Sequence, residues 1–236
     1  MTPLRLPFDE RDEDVAIRAV VFDIGGILEI IPEGGDPTAR FPQLIERWET
    51  RLGMAPGALG RQLRAVRERL EGAGKDREIG TCSEAEWIEE LRQVTGWDPP
   101  RIDAFMRDHW DVYCGTPNVE LAAYLGSLRP HYKTALLSNS GVGARREEEA
   151  RYHFSQLVDC IIYSHEVGIA KPDQRIYAIA CERLGVSPEE VVFLDDAERN
   201  IAAAAAHGLH AICFRDNPQA IADIQTCLLA HSADGV

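Results

Sequence analysis

No stretch of the sequence approaches the roughly 18 consecutive apolar residues that a membrane-spanning helix needs. The acidic N-terminus also lacks the pattern of a signal peptide. Positive charge is scarce, and the formal net charge of −14 argues against broad contact with nucleic acid or an anionic membrane. These absences exclude nucleic acid and membranes as expected partners, and any phosphate that binds must be held by local groups.

The cysteines and lysines are few and scattered. The six cysteines form no Cys-x-x-Cys pair and lie at no zinc-binding spacing with histidine, so we expect reduced core residues of a cytoplasmic protein. Only three of the 25 basic Lys and Arg residues are lysines, namely Lys75, Lys133 and Lys171. Because arginine is the usual basic residue of this chain, a lysine such as Lys171 is less easily explained as an ordinary surface cation.

The first apolar run, residues 19–22, is followed by Asp23, Ile24 and two glycines, Gly25 and Gly26. A continuous apolar run is typical of a strand buried on both faces of a parallel sheet. A charged Asp at its end is expected at the edge of the sheet, because burying it unpaired is costly. The glycines allow a sharp turn that brings main-chain groups close to whatever Asp23 holds.

The pattern between residues 36 and 114 differs from the rest. Apolar residues recur at helical spacing in four stretches, and Ser83 with Glu86 has the form of a capping box. We expect a bundle of four helices inserted into an α/β core that comprises residues 15–35, with a turn at 32–35, and 115–236. Residues 1–14 are polar and are expected to form a loose arm.

After residue 117 apolar runs alternate with helical stretches. The runs are residues 134–137, 160–163, 191–194 and 211–214; the helices are expected at 118–128, 146–156, 173–184, 197–207 and 218–230. This alternation predicts a doubly wound, mostly parallel sheet with helices on both faces.

Polar residues stand where ligands bind in such sheets, beyond the carboxyl ends of the strands. Asp23, Ser138 and the pair Asp195-Asp196 end three of the strands, and Lys171 opens a later helix. Singly, each has a structural explanation, such as helix capping for Ser138. Together, carboxylates suit magnesium, a hydroxyl and a lysine suit a phosphoryl group, and an ionised Asp can attack phosphorus.

The stretches Asp23-Ile24-Gly25-Gly26, Ser138-Asn139, Lys171-Pro172-Asp173 and Asp195-Asp196 resemble, in this order, the four motifs of the haloacid dehalogenase-like hydrolase superfamily. The helical insert follows the first motif, where it is similar to that superfamily's class 1 cap. The resemblance implies a phosphatase that acts on a small phosphorylated substrate with Mg²⁺. It leaves the substrate unidentified and the oligomeric state open between monomer and homodimer.

The resemblance also assigns roles. It implies Asp23 as the nucleophile, Lys171 as the cation that neutralises charge, and Ser138, Asn139 and Gly26 as phosphate-binding residues. It implies that Asp23, the Gly25 carbonyl, Asp195 and Asp196 hold magnesium, and that Asn200 orients the acidic pair.

Gly25 departs from the pattern of the superfamily's phosphatases, which usually carry a second Asp there as general acid and base. Help of that kind is typically worth about 10² to 10⁴ in rate. The nearest acid on the following segment is Glu29, which the pattern favours as an exposed strand residue. We therefore expect a steep loss of rate as the leaving group becomes less acidic.

Three alternatives stay open at this point. A dehalogenase of the same superfamily usually carries an aromatic residue near the position of Gly25 and needs no metal, and the Asp195-Asp196 pair argues against it. A phosphonatase would need a lysine in the insert, where only Lys75 is present. A non-catalytic or regulatory domain rests on Gly25 alone.

Overall fold

The computed structural model describes residues 15–30 and 40–231. The arm expected at residues 1–14 and the turn expected at 32–35 lie outside the described residues. The strands are β1 (Ala19–Phe22), β2 (Glu29–Ile30), β3 (Thr116–Pro117), β4 (Lys133–Ser138), β5 (Cys160–Tyr163), β6 (Val191–Asp195) and β7 (His210–Cys213). Five of them form one parallel sheet in the order β5–β4–β1–β6–β7, which confirms the predicted mostly parallel α/β fold.

Helices cover both faces of this sheet. The helices of the core are α5 (Val119–Leu128), α6 (Ala144–Tyr152), α7 (Phe154–Leu157), α8 (Ser164–Val167), α9 (Gln174–Leu184), α10 (Glu198–His207) and α11 (Asn217–Ala230). Val20 and Phe22 of β1 belong to a cluster with α5 and α11, whereas Ala19 and Val21 belong to a second cluster with α9 and α10. Successive side chains of a strand point to opposite faces, so the central strand is buried from both sides.

A third apolar cluster holds the helices between β2 and β3 together. Trp48, Trp97 and Phe105 pack ring against ring with centroids 5.4 Å apart. The capping box is confirmed, because the Ser83 side chain accepts from the Glu86 backbone N–H and the Ser83 N–H donates to the Glu86 carboxylate. These helices are α1 (Arg40–Leu52), α2 (Ala58–Gly72), α3 (Glu84–Thr95) and α4 (Pro99–Cys114).

The chain passes between the sheet and these helices through β2 and β3. The two strands pair antiparallel, with Glu29 opposite Pro117 and Ile30 opposite Thr116. The N–H of Asn118 donates to the Leu28 carbonyl at 2.7 Å, next to this pair. The segment that leaves the sheet after β1 therefore returns to it at a neighbouring position.

The single helix expected at residues 146–156 is wrong. The structure has α6 and α7 there, separated by His153 in a left-handed conformation with φ 52°. The six cysteines are unpaired; Cys82, Cys114 and Cys181 are buried, and the other three are partly exposed. Within the described residues, no helix has both the length and the apolar content to cross a membrane.

Candidate active site

The predicted site residues lie at the carboxyl ends of three adjacent strands. Asp23 follows β1, Ser138 ends β4 and Asp195 ends β6. Because Phe22 is in register with Leu136 on one side and Leu194 on the other, the residues beyond these positions meet at the same edge. The parallel sheet thus brings together residues that are more than a hundred positions apart in sequence.

Lys171 joins two of the carboxylates. Its Nζ lies 2.8 Å from Asp23 Oδ1, 2.7 Å from Asp195 Oδ2 and 2.9 Å from the Leu137 carbonyl oxygen, to which it donates. Burial by itself would lower the pKa of this amine, but the two carboxylates outweigh that effect and raise the pKa. The lysine therefore stays charged and holds both acids in place.

Three carboxylates converge beside this lysine. Single oxygens of Asp23, Asp195 and Asp196 all lie within 4.8 Å of one another. Asn200 Nδ2 donates to both oxygens of Asp195, at 3.0 and 3.1 Å, and the Ala197 N–H donates to Asp195 Oδ1 at 2.8 Å. Asn200 thus takes the orienting position that the resemblance implied, toward one member of the pair.

Asp23 is held by its own turn as well as by Lys171. The Ile24 N–H donates to Asp23 Oδ1 at 2.7 Å. Burial raises the pKa of Asp23 to about 7, opposed by the charge of Lys171 and reinforced by Asp195. A cation among the three carboxylates would favour the ionised form of Asp23.

The two glycines after Asp23 differ in what they require. Gly26 has φ 81°, and a Cβ placed on it would lie 2.3 Å from Asp196 Oδ2. A side chain there would therefore be strained and would displace the carboxylate. Gly25 has no such backbone conformation, and a Cβ on it would meet no atom within 4 Å.

Ser138 and Asn139 occupy the loop after β4. Ser138 is buried and does not cap the next helix, which begins at Ala144 after Gly143. Asn139 Nδ2 donates to the Lys171 carbonyl and to Glu78 Oε1, both at 2.8 Å, and Asn139 Oδ1 accepts from the Lys171 N–H at 2.8 Å. In this conformation the amide of Asn139 is hydrogen-bonded to the backbone of Lys171 and to Glu78, and it does not point its donors toward a phosphate site.

Glu29 is not the exposed strand residue that its position favoured. It is 2% exposed, because the short pair of β2 and β3 turns it inward. Glu148 of α6 acts on the Tyr113 hydroxyl by its charge, as Glu29 does; it is completely buried and accepts a hydrogen bond from the Tyr163 hydroxyl. Burial raises the pKa of Glu148 to about 7; hydrogen bonds from Tyr163 and Tyr113 oppose this rise, as does Arg145, whereas the charge of Asp23 adds to it.

Sequence reasoning missed this second set of acids behind the site. Glu148 stands in the run Arg145-Arg146-Glu147-Glu148-Glu149, which has the composition of an exposed helix. Its burial depends on Tyr163 and Tyr113, which come from β5 and α4. No local signal in the sequence could have identified it.

Comparison with known proteins finds a matching family model, and similar curated proteins and solved structures. The model of the haloacid dehalogenase-like hydrolases matches residues 17–208. Bifunctional epoxide hydrolase 2 of Sus scrofa is 26% identical over 236 residues, which cover 89% of this chain and 39% of that protein. (S)-2-haloacid dehalogenase 1 of Pseudomonas sp. (strain CBS-3) is 35% identical over 100 residues, 39% of this chain and 44% of that protein. The chain spans about two fifths of the length of these relatives.

The fold is similar to that of a haloacid dehalogenase (HAD) family enzyme from Bacteroides thetaiotaomicron, solved in complex with magnesium and inorganic phosphate. The TM-score is 0.64 at 21% identity, and the alignment covers 85% of this chain and 95% of that one. At this identity the similarity supports the fold.

Proposed function

The chain belongs to the haloacid dehalogenase-like hydrolase family, and from the geometry of its site we propose that it is a magnesium-dependent phosphatase. The substrate would be a small phosphorylated metabolite, and the reaction would proceed through an aspartyl-phosphate on Asp23. The observation that carries the proposal is the convergence of three carboxylates within 4.8 Å beside a buried lysine. A dehalogenase of the same family needs no metal, so the carboxylates of Asp195 and Asp196 beside Asp23 favour the phosphatase.

In the proposed reaction, a carboxylate oxygen of Asp23 forms a bond to phosphorus while the bond from phosphorus to the leaving oxygen breaks. Water then attacks the acyl phosphate, releases inorganic phosphate and restores Asp23. The contacts of Asp23 Oδ1 with Lys171 and the Ile24 N–H fix the orientation of the nucleophile. Ser138 and the backbone at Gly26 stand beside it as ligands for the phosphoryl group.

The residues fit a hard divalent cation. The side chains of Asp23, Asp195 and Asp196 offer oxygen ligands only, as magnesium prefers. The absence of a side chain at Gly26 leaves room for Asp196, which supports the same assignment. We assign these three side chains and the Gly25 carbonyl as the magnesium ligands. The bound cation would supply charge that offsets the negative phosphoryl group.

We also propose that the helical segment, residues 36–114, acts as a cap over this site. Glu78 of that segment contacts Asn139, next to Ser138. A cap of this kind excludes water when it closes and completes the site. A cytoplasmic location, suggested by the unpaired cysteines, belongs to the same proposal.

Hydrolysis of p-nitrophenyl phosphate by the purified protein tests this function. We expect turnover with magnesium, loss of turnover with a chelator, and recovery when magnesium is restored in excess. Asp23→Asn should abolish turnover, because an amide is no nucleophile. Asp103→Asn, at an exposed position on α4, is the matched control and should retain it.

Each contrary result has a definite meaning. Turnover of p-nitrophenyl phosphate that survives complete chelation would remove the metal assignment. Folded protein that hydrolyses 2-haloacids but no phosphate ester would restore the dehalogenase alternative. Folded protein that turns over neither class of substrate would favour the non-catalytic domain.

A further inference from the structure

The segment between α2 and α3, residues 73–83, lies directly against the core at the active-site edge. Glu78 Oε1 accepts from Asn139 Nδ2 at 2.8 Å. A Cβ on Gly80 would lie 2.0 Å from the His165 carbonyl oxygen, so the two backbones touch there. The side chains of this segment are therefore held close to the loop that follows Ser138.

Arg77 is the cation that this segment brings to the site. Its guanidinium lies over the Trp87 ring, with Cζ 4.4 Å from the ring centroid. Its nitrogen atoms Nε and Nη2 lie 3.5 to 3.6 Å from where a Cβ of Gly141 would stand. Gly141 closes the stretch Ser138-Asn139-Ser140-Gly141, so the guanidinium faces the loop of the proposed phosphate-binding serine.

No acid of the described chain neutralises this guanidinium by direct contact. Arg77 Nε is buried and has no hydrogen-bond partner among residues 15–30 and 40–231. Glu84, an acid near it, is bound by Arg146 through two contacts of 2.7 and 3.0 Å. Glu78 is hydrogen-bonded to Asn139. Burial lowers the pKa of Arg77, whereas Cys82, Glu84 and Tyr113 raise it.

The neighbouring basic groups cannot take the same role. Lys75 is paired with Glu86 at 2.9 Å and is partly exposed. Burial, assisted by the charge of Arg77, lowers the pKa of His109 to about 3, so this ring is neutral at physiological pH. Of the basic residues Lys75, Arg77 and His109, Arg77 is the one that keeps its charge without an ion pair to a described residue.

A guanidinium presents paired donors that match the two oxygens of a carboxylate or of a phosphate. We propose that Arg77 binds a second anionic group of the substrate, a carboxylate or a second phosphate, on the side of the molecule away from the transferred phosphoryl group. The inference rests on the proposed phosphatase function and narrows its substrates to phosphate esters whose leaving group is itself an anion. It also gives a physical reason for a half-buried guanidinium whose Nε has no hydrogen-bond partner among the described residues, in a protein of net charge −14.

Matched pairs of esters test the proposal. Phosphoglycolate is compared with its methyl ester, and ethane-1,2-diol bisphosphate with 2-hydroxyethyl phosphate, by the ratio of kcat/KM within each pair. The methyl ester has the more acidic leaving group, so chemistry alone would favour the neutral member. In one of the two pairs, we expect kcat/KM of the wild-type protein to be about 10- to 100-fold higher for the ester that carries the second anionic group. This is the range of a charge-assisted contact. The pair that shows the preference identifies carboxylate or phosphate as the group bound.

Arg77→Met keeps an apolar side chain on Trp87 and should bring that ratio toward one. Arg77→Lys keeps the charge but loses the paired donors and should give an intermediate ratio. The control, Arg92→Met, removes an exposed arginine of α3 that is paired with Glu89, and the ratio should stay at the wild-type value.

Two results separate this proposal from the phosphatase function. Suppose that the wild-type protein hydrolyses p-nitrophenyl phosphate but shows no preference for the ester with the second anionic group in either pair. This result would overturn the role of Arg77 and leave the proposed phosphatase function intact. That comparison needs no variant, so a poorly folded Arg77→Met protein does not weaken it. If no ester is hydrolysed, the phosphatase function fails first.

Discussion

Replacing Glu148 by glutamine should make the protein more stable at alkaline pH. Glu148 is completely buried, and burial raises its pKa from 4.5 to about 7. In the folded protein it therefore keeps its proton up to about pH 7, whereas in the unfolded chain it ionises near pH 4.5. The folded state consequently binds more protons between these two values, and the wild-type protein loses stability as the pH rises through this window.

The size of the effect follows from the same two values. A tenfold change in proton affinity corresponds to about 1.4 kcal/mol, so the whole window is worth on the order of 3 kcal/mol. Glutamine has the size of protonated glutamic acid but cannot ionise. We therefore expect Glu148→Gln to match wild type near pH 4.5, to gain on it through pH 7, and to remain about 3 kcal/mol more stable above that.

Urea unfolding of both proteins at pH values from 5 to 8.5, without divalent cations, measures this difference. The slope of free energy against urea concentration should be the same for both proteins, so that the midpoints report stability alone. Glu149→Gln is the matched control on the same helix. Hydrogen bonds from Ser155 lower the pKa of Glu149, so its replacement should bring no gain as the pH rises. A difference between Glu148→Gln and wild type that stays constant from pH 5 to 8.5 would refute the reasoning.

Three further predictions concern the candidate active site. Gly25→Asp, which has the space and backbone it needs, should flatten the dependence of rate on leaving-group pKa across a series of aryl and alkyl phosphates; an unchanged slope would mean that another acid already donates the proton. Gly26→Ala should raise the magnesium concentration for half-maximal activity, because its Cβ would collide with Asp196, whereas Gly25→Ala should not; equal behaviour of the two would contradict the assignment of Asp196. Lys171→Met should lower kcat by about 10²-fold or more, since it leaves the Asp23 and Asp195 charges facing each other; a kcat near wild type would exclude the proposed role of Lys171.

The position of the candidate site in the fold could be predicted because its residues are marked locally, whereas their chemical roles stay a prediction. Asp23, Ser138 and Asp195 each follow a buried apolar run, and a parallel sheet places such ends at one edge. Capping signals such as Ser83 with Glu86 located helix starts equally well.

The remainder depended on contacts between distant parts of the chain. Glu29 is buried because two residues of β2 pair with Pro117 and Thr116, far along the sequence. Arg77 stands in a polar stretch with glycines, where nothing indicates a half-buried guanidinium. The break between α6 and α7 is made by one residue in the left-handed conformation, His153. Neither glycine nor proline, the usual sequence signals of a helix end, stands at this position.

The antiparallel pair of β2 and β3 has a topological consequence. Because Ile30 lies opposite Thr116, the excursion of the chain between them, which contains the four helices α1 to α4, leaves the core and rejoins it at the same place. The strand order of the sheet is thus independent of how long that excursion is, or of what fold it has. Evolution could exchange the helices between these two residues without moving Asp23, Ser138 and Asp195. Under the proposed function, that exchange would change which leaving groups are accepted and keep the residues proposed to bind the phosphoryl group in place.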